Sequence, residues 1–307
     1  METQGSYDPV LRRRKEQPTT DATPHPFGED TTATSPARPA NADELPLKMA
    51  LASDGAELAW TEEGAGEPML LIAGQATGRN GWGPTARALA THFRVIRYDH
   101  RGIGESSDGS SERYTTRWLA SDACTVLEAA GVETAHVYGH SMGGRVAQWM
   151  AIDHPHRIGC LILAATSAGG PSAPAGDPAA MEAIFCGNID QMASIFFDDQ
   201  WTRDHPLEVR DFFGSQASAW AKARHFAASR NHDAVAELAL IRSPTLILHG
   251  RDDTLTPLQN GRILHQRIRL STLVSIPGAR HGLHLDHPET VPWIGDFIAA
   301  SSTPHRR

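Results

Sequence analysis

Apolar runs of strand length recur along the chain, and stretches of helical periodicity separate them. Six runs fall at residues 68–73, 93–98, 135–138, 158–164, 244–249 and 271–276. Continuous apolar runs of this length are typical of strands that are buried on both faces of a parallel sheet. Strands that alternate with helices at this spacing predict an α/β fold with a doubly wound sheet.

Two shorter segments before the first run complete the predicted sheet. Leu47 to Leu51 and Glu57 to Thr61 flank the dipeptide Asp54-Gly55, which favours a hairpin. The hairpin adds two strands, so we expect a mostly parallel sheet of eight strands. A helical pattern at residues 288–300 closes the chain.

The alternation breaks after the sixth predicted strand. Residues 167–233 contain a loop rich in Gly, Pro and Ala and then several short helical patterns. Six of the nine Phe residues fall here, enough for the segment to form an apolar core of its own. We therefore predict a helical cap at 167–233, inserted into a core formed by 46–166 and 234–302. Within the cap, an apolar substrate pocket is expected to be lined by Phe185, Met192, Phe196 and Trp220.

Composition narrows the class of protein. Residues 1–45 are rich in Pro, Thr, Ala, Asp and Glu and are poor in large apolar residues, so we expect a disordered leader. The net charge of -8 gives no electrostatic reason to bind nucleic acid or an anionic membrane. Three cysteines without ligand-like spacing indicate neither a disulfide framework nor a zinc site, which favours a cytoplasmic location. A homodimer is left open.

One short motif predicts a nucleophile. Ser141 stands in Gly139-His140-Ser141-Met142-Gly143, between a predicted strand and a helical pattern. The order of strand, turn and helix is the one that a nucleophile elbow requires, because the turn must project the serine hydroxyl. The amides at the start of the following helix would favour negative charge on a substrate oxygen.

Two later strand ends offer partners for this serine. Asp252 and Asp253 follow the strand at 244–249, and His281 follows the strand at 271–276. The carboxyl ends of parallel strands meet at one edge of the sheet, so these side chains should lie near Ser141. His281 would accept the proton of the attacking serine and return it to the leaving group, while a carboxylate fixes its tautomer.

Taken together, these motifs resemble the α/β-hydrolase fold superfamily, and within it the serine esterases with a helical cap. The resemblance covers residues 47 to 300 and rests on four motifs. They are Gly139-His140-Ser141-Met142-Gly143-Gly144, Asp99-x-Arg101-Gly102-x-Gly104-x-Ser106, Gly250-x-x-Asp253 and Gly278-x-x-His281. It implies that Asp253, rather than Asp252, is the catalytic acid. It also implies an oxyanion hole from the amides of Gln75 and Met142, although Ala73 stands where the family often has histidine.

The same resemblance implies a cofactor-independent serine hydrolase. Its substrate would be a carboxylic ester or lactone of a small to medium apolar molecule, cleaved through an acyl-enzyme on Ser141. Two alternatives stay open: a perhydrolase or cofactor-free haloperoxidase, and a non-hydrolytic ligand-binding or cyclase member of the fold. We expect no metal, because a site at His281, His284 and His287 would consume the predicted base. His284 and His287 are instead expected to cap and orient the start of the terminal helix. The turn at 99–104 is expected to support the nucleophile elbow.

Overall fold

The computed structural model describes residues 45–302, apart from the side chain of Phe185. The predicted leader, except for its last residue, lies outside the described residues. The described part contains eight strands in one sheet, in the order β1-β2-β4-β3-β5-β6-β7-β8. The strands are β1 (Lys48–Leu51), β2 (Glu57–Glu63), β3 (Glu67–Ile72), β4 (Phe93–Tyr98), β5 (Ala135–His140), β6 (Ile158–Ala164), β7 (Thr245–Gly250) and β8 (Ser271–Ile276).

Strand pairing confirms the predicted fold class. β1 and β2 form an antiparallel hairpin, in which Leu51 pairs with Glu57, and β2 pairs antiparallel with β4. Every other neighbouring pair in the sheet is parallel. The predicted hairpin at Asp54-Gly55 and the mostly parallel sheet of eight strands are therefore both present.

Helices connect the strands and cover the sheet. They are α1 (Gly83–Leu89), α2 (Thr116–Ala129), α3 (Met142–Asp153), α4 (Pro178–Cys186), α5 (Ile189–Phe196), α6 (Asp199–Asp204), α7 (Pro206–Phe213), α8 (Ala219–Arg230), α9 (Gln259–Arg267), α10 (Leu283–Asp286) and α11 (Thr290–Ser302). α10 spans one turn, which is too short to produce a readable periodicity. None of these helices is both long and apolar enough to span a bilayer.

Burial on both faces explains the continuous apolar runs. All six residues of β5 and all six of β7 are buried. One apolar cluster packs α2 and α3 against one face of the sheet, with Leu119 and Val146 among its members. A second cluster packs α1 and α11 against the other face, with Leu89 and Ile298 among its members.

Five helices, α4 to α8, stand between β6 and β7. Of these, α5 and α7 share a third apolar cluster with α10, formed by Ala193, Phe196, Phe197, Val209, Phe212 and Leu285. Because Leu285 lies in α10, the helical segment packs on the part of the chain that follows β8. Its description as a cap with bounds at 167 and 233 stays a prediction.

Candidate active site

Ser141 occupies the turn between β5 and α3. Its backbone has φ 54° and ψ −118°, a conformation that residues with a side chain rarely adopt. The Ser141 N–H donates to the Ala164 carbonyl at 2.9 Å, and the Ser141 carbonyl accepts from the Thr166 hydroxyl at 2.7 Å. These bonds hold the strained turn in place at the carboxyl end of β5.

Two glycines permit this turn. A Cβ atom at Gly139 would collide with the carbonyl oxygen of Gly143. A Cβ atom at Gly143 would collide with the carbonyl oxygen of Ile72, at the end of β3. The start of α3 can therefore pack against β3 and β5 only because both positions lack a side chain.

The structure brings Ser141, His281 and Asp253 together, as the sequence predicts. His281 Nδ1 lies 2.8 Å from Asp253 Oδ2, and His281 Nε2 lies 3.0 Å from Ser141 Oγ. A carboxylate only accepts hydrogen bonds, so Nδ1 carries the proton and donates it to Asp253. Nε2 is then free to accept the hydroxyl proton of Ser141.

Asp253 and its neighbour Asp252 occupy different environments. Asp253 is 4% exposed, and its Oδ1 accepts the N–H groups of Leu255 at 3.0 Å and Thr256 at 2.7 Å. Asp252 is exposed to solvent. Of these two carboxylates, it is Asp253 that accepts the hydrogen bond from His281.

Known proteins with similar sequences or structures place the chain in a family. The sequence profile of the alpha/beta hydrolase fold matches residues 67–185. 3-Oxoadipate enol-lactonase 1 of Acinetobacter baylyi is 31% identical over 216 residues, which are 68% of this chain and 79% of that protein. The chain belongs to the alpha/beta hydrolase fold family.

Two further members of the alpha/beta hydrolase fold family are similar over most of their length. A protein of Variovorax paradoxus that is named for carbamate hydrolysis is 30% identical over 256 residues, which are 78% of this chain and 94% of that protein. The structure of a hydrolase from Pseudomonas aeruginosa PA01 matches with a TM-score of 0.71 at 32% identity, over 84% of this chain and 99% of that one. These relatives support a hydrolase of this fold.

The loop after β3 lies beside the elbow of this α/β-hydrolase fold. A Cβ atom added at Gly74 would lie 3.5 Å from the Cβ of Ser141. Gln75 follows on the same loop and is half-buried, and Met142 begins α3 and is fully buried. In the part of the chain that the structure describes, the N–H groups of Gln75 and Met142 donate to no other residue.

Side chains from the turn after β4 hold this loop, although the sequence did not reveal it. His100 Nε2 donates to the Ala73 carbonyl at 3.1 Å, and Asp99 Oδ1 accepts the Arg79 N–H at 2.7 Å. From the helical segment, the Ser215 hydroxyl accepts the Gly78 N–H at 2.7 Å. The predicted turn at 99–104 therefore supports the loop after β3.

His140 supports the backbone of His281. Its Nε2 donates to the His281 carbonyl at 2.8 Å, and its ring lies 4.1 Å from the ring of His284, centroid to centroid. Burial, followed by the neighbouring His284 and His281, holds the pKa of His140 well below its usual range. His140 is therefore a neutral donor that fixes the His281 loop from the side of the sheet.

His284 and His287 precede α11, which begins at Thr290, and among the described residues the Ser141 hydroxyl is bonded by His281. His284 belongs to α10, and burial lowers its pKa to about 3. His287 follows α10, and its Nδ1 lies 2.8 Å from Glu289 Oε1. Among residues 45–302 no group of three or more His, Cys, Asp and Glu side chains is arranged to hold a metal ion.

The residues around His281 form hydrogen bonds to the end of α5. The Arg280 guanidinium donates to the carbonyls of Ser194 at 2.8 Å and Phe197 at 2.6 Å. The next two backbone N–H groups, of residues 281 and 282, donate to the carbonyls of residues 195 and 196 at 3.5 and 2.6 Å. Four successive carbonyls of the helical segment are thus satisfied by residues 280–282, a contact that spacing along the chain does not reveal.

The four residues that the sequence predicts to line the substrate pocket lie in different places. The Phe196 ring stands edge-on to His281, with 4.8 Å between ring centroids. Met192 is half-buried one turn earlier on α5, and the side chain of Phe185 lies outside the described residues.

Trp220 is 48% exposed and lines a different cavity, whose lining includes none of Ser141, Asp253 and His281. The buried face of α8 carries Ala221, Arg224, His225 and Ala228, so Trp220 points another way.

Proposed function

We propose that the protein is a cofactor-independent serine hydrolase that cleaves a carboxylic ester or lactone of a small to medium apolar molecule. The observation that carries this proposal is the hydrogen-bonded line from Ser141 through His281 to Asp253, with distances of 3.0 and 2.8 Å. Similarity to a protein named as an enol-lactonase supports the lactone part of the substrate class.

The line of three residues performs acyl transfer in two steps. Ser141 Oγ attacks the substrate carbonyl while its proton passes to Nε2 of His281, and Asp253 stabilises the imidazolium that forms. The N–H groups of Gln75 and Met142 donate to the oxygen that becomes negative. His281 then gives its proton to the leaving alkoxide, which departs as an alcohol and leaves an acyl-enzyme.

Water completes the cycle by the same route. His281 accepts a proton from the attacking water, and the acyl group leaves Ser141 as a carboxylic acid. Ser141 regains its proton from His281, so no cofactor is consumed. For a lactone the alcohol and the acid belong to one product molecule, and the residues act in the same way.

Apolar side chains next to His281 support the apolar substrate class. The ring of Phe196 contacts His281, and Met192 precedes it on the same helix. The cluster behind them contains Phe197, Phe212 and Val209. A pocket walled by such side chains favours an apolar acyl or alcohol group beside Ser141.

The proposal is tested with p-nitrophenyl acetate, butyrate and octanoate and with a medium-chain lactone. We expect turnover by the full chain, and a loss of roughly 10⁴-fold or more in kcat for Ser141→Ala. A fluorophosphonate should add to Ser141 in the unaltered protein and to no serine in the variant. Circular dichroism of the variant checks that it is folded.

Three results would overturn the proposal. One is a panel without turnover together with an unlabelled Ser141. Another is a Ser141→Ala variant with full activity. The third is formation of peracetic acid from acetate and hydrogen peroxide at a higher rate than ester hydrolysis, which would make the protein a perhydrolase.

A further inference from the structure

The loop after β3 has a backbone conformation that needs support from its surroundings. Ala76, the residue after Gln75, has a φ of 55°, in the left-handed region that favours glycine. The Thr77 N–H donates to the Gly74 carbonyl at 3.3 Å and closes a tight turn over the two residues between them. A residue with a side chain keeps such a conformation only when neighbouring groups hold it. The loop that carries Gln75 therefore depends on its contacts.

The position of this loop sets the position of the Gln75 N–H. A Cβ atom added at Gly74 would lie 3.4 Å from Nδ1 of His140, so the loop packs directly on the elbow. In the proposed mechanism the Gln75 N–H donates to the substrate oxygen as it becomes negative, and the strength of that bond depends on distance and angle. A small displacement of the loop thus weakens catalysis without removing any group that reacts.

His100 bonds the part of the loop that lies next to the elbow. It follows β4, its side chain is fully buried, and its Nε2 donates to the Ala73 carbonyl at 3.1 Å. Ala73 is the first residue after β3, two positions before Gln75. Because both bonded residues are buried, bulk water does not stand ready to replace the imidazole as donor. Loss of the imidazole would leave this carbonyl unsatisfied and the loop free to shift.

The tautomer of His100 is fixed from the other side of its ring. The Tyr98 hydroxyl lies 3.4 Å from Nδ1 and donates to it, so the proton of the ring is on Nε2. Burial, followed by the neighbouring His225, lowers the pKa of His100 to about 3, which keeps the ring neutral. A neutral imidazole has one N–H, and in His100 this N–H is directed at the Ala73 carbonyl. Both ring nitrogens are therefore engaged, and the orientation of the ring is fixed.

Two further bonds hold the opposite end of the loop. Asp99 Oδ1 accepts the Arg79 N–H, and the Ser215 hydroxyl accepts the Gly78 N–H, both at 2.7 Å. These bonds lie where the chain runs toward α1. The end of the loop beside the elbow is held instead by the imidazole of His100.

We propose that His100 is a positioning residue for the oxyanion donor: by holding Ala73, it places the Gln75 N–H at the substrate oxygen. The inference rests on the serine hydrolase function proposed above, and it adds a residue that acts through Gln75. If His100 served packing alone, its loss would reduce the amount of folded protein and lower activity equally for every substrate. A positioning role predicts a loss that depends on the atom that accepts the N–H.

A pair of substrates separates these two roles. p-Nitrophenyl butyrate develops negative charge on oxygen, whereas its thionoester, in which C=S replaces C=O, develops the charge on sulfur, a weaker acceptor at a longer distance. The ratio of kcat/KM for the two esters therefore measures the oxyanion donors and does not depend on the folded fraction. We expect His100→Leu to lower this ratio at least roughly fivefold, with kcat for the oxygen ester lowered roughly tenfold and KM within about twofold.

Two further variants separate the two bonds of the imidazole. His100→Gln places an amide N–H near the position of Nε2, so it should keep the bond to Ala73 and recover most of the ratio. His100→Asn reaches only to the position of Nδ1, so it can keep Tyr98 as its partner and should lower the ratio as His100→Leu does. This pair keeps the test decisive if His100→Leu does not fold.

Hydrogen exchange measures the loop without any turnover. Mass spectrometry of a peptide that covers residues 73–79 should show faster exchange in His100→Leu and His100→Asn than in the original chain. His232→Leu is the control, because it removes a buried neutral histidine that bonds Thr116 instead. Its exchange in this peptide and its substrate ratio should both match those of the original chain.

Two results would overturn the inference. One is a substrate ratio that His100→Leu and His100→Asn leave unchanged, and the other is unchanged exchange of residues 73–79 in these variants. A chain that hydrolyses neither ester, but exchanges faster in His100→Leu, would refute the proposed hydrolase function and would still support the role of His100 in holding the loop.

Discussion

The carboxyl-end edge of the sheet and the helical segment between β6 and β7 position their side chains in different ways. At the sheet edge, backbone bonds between neighbouring strands fix the site, as when the Ser141 N–H donates to Ala164. In the helical segment, the packing of short helices determines where each side chain lies. Phe196 contacts His281, whereas Trp220 lines a different cavity. Residue type therefore locates function reliably at a strand end and poorly on a short helix.

Residues 280–282 join the two regions. Three of their nitrogens, Arg280 Nη1 and the backbone nitrogens of residues 281 and 282, donate to the carbonyls of residues 194 to 197. Asp286 Oδ2 accepts the N–H of Asp198 at 2.9 Å. α5 thus shares the fixed geometry of the sheet edge, whereas α8 is bonded to the turn after β4, where His225 Nε2 donates to the Arg101 carbonyl at 3.0 Å. The comparison predicts that substitutions will have effects that follow this division.

The largest expected effect is on stability in acid, and it concerns both regions. Burial lowers the pKa of His100, His284 and His232 to about 3 and that of His225 to about 4. The folded chain therefore binds fewer protons than the unfolded chain below pH 6.5, so the stability present above that pH is lost as the pH falls toward 3 to 4. At pH 5.5 each of these histidines lowers the free energy of unfolding by on the order of 1 kcal/mol, so the four together lower it by several kcal/mol.

Urea unfolding at pH 7.5 and pH 5.5, followed by circular dichroism, measures this loss. Two of these histidines lie at the sheet edge and two in or just after α8, so one shared transition is expected. A midpoint that does not move with pH would contradict the burial of neutral histidines. Two separate transitions would show that the helical segment unfolds by itself and would sharpen the division between the regions.

Replacing the acid beside His281 should give the next largest effect. Asp253→Asn should lower kcat on a p-nitrophenyl ester roughly 10³- to 10⁴-fold. The amide can donate a hydrogen bond to Nδ1 of His281, which stabilises the imidazole tautomer that cannot accept the Ser141 proton at Nε2. Asp252→Asn is the matched control on an exposed neighbour, and its kcat should stay within about threefold. Equal losses in the two variants would remove Asp253 from the proposed mechanism.

A smaller effect is expected where the two regions meet. Arg280→Ala should lower kcat roughly tenfold and leave KM nearly unchanged, because the His281 loop loses its attachment to α5. Arg280→Lys should recover part of the loss, and Arg251→Ala, at an exposed position after β7, is the control. Phosphonylation of Ser141 should slow in parallel with kcat. A change in KM alone would assign Arg280 to substrate binding.

The smallest effect separates the two aromatic residues of the helical segment. Phe196→Leu should raise KM for p-nitrophenyl butyrate roughly fivefold, through the loss of about 1 kcal/mol of apolar contact. Trp220→Leu should leave KM within about twofold, because Trp220 lines the other cavity. Similar KM values in both variants would break the distinction drawn between α5 and α8.

Much of the sheet edge could be predicted from the sequence, for a physical reason. Strands buried on both faces need continuous apolar runs, and each run ends where the chain turns at a common edge. Ser141, Asp253 and His281 each follow such a run, so their proximity follows from strand order. The glycines around Ser141 marked the turn in addition.

The supporting contacts could not be predicted, because their partners are distant in the chain. His140 bonds the carbonyl of His281, and Ser215 accepts from Gly78, although 141 and 137 residues separate them. In α8 the pattern itself misleads, since its buried face carries the polar residues Arg224 and His225. Apolar periodicity therefore gives no guide to which way Trp220 points.

The hydrogen bonds between residues 280–286 and the chain around the end of α5 also limit which helices can be exchanged between this protein and a relative. A chimaera that takes α4 to α8 from a relative inherits a new partner for Arg280 and for the backbone around His281. Such a graft will lose turnover even when the new helices fold, unless residues 280–286 are transferred with them. The helices that set the substrate range and the residues that position His281 must therefore be exchanged together, although two distant parts of the gene encode them.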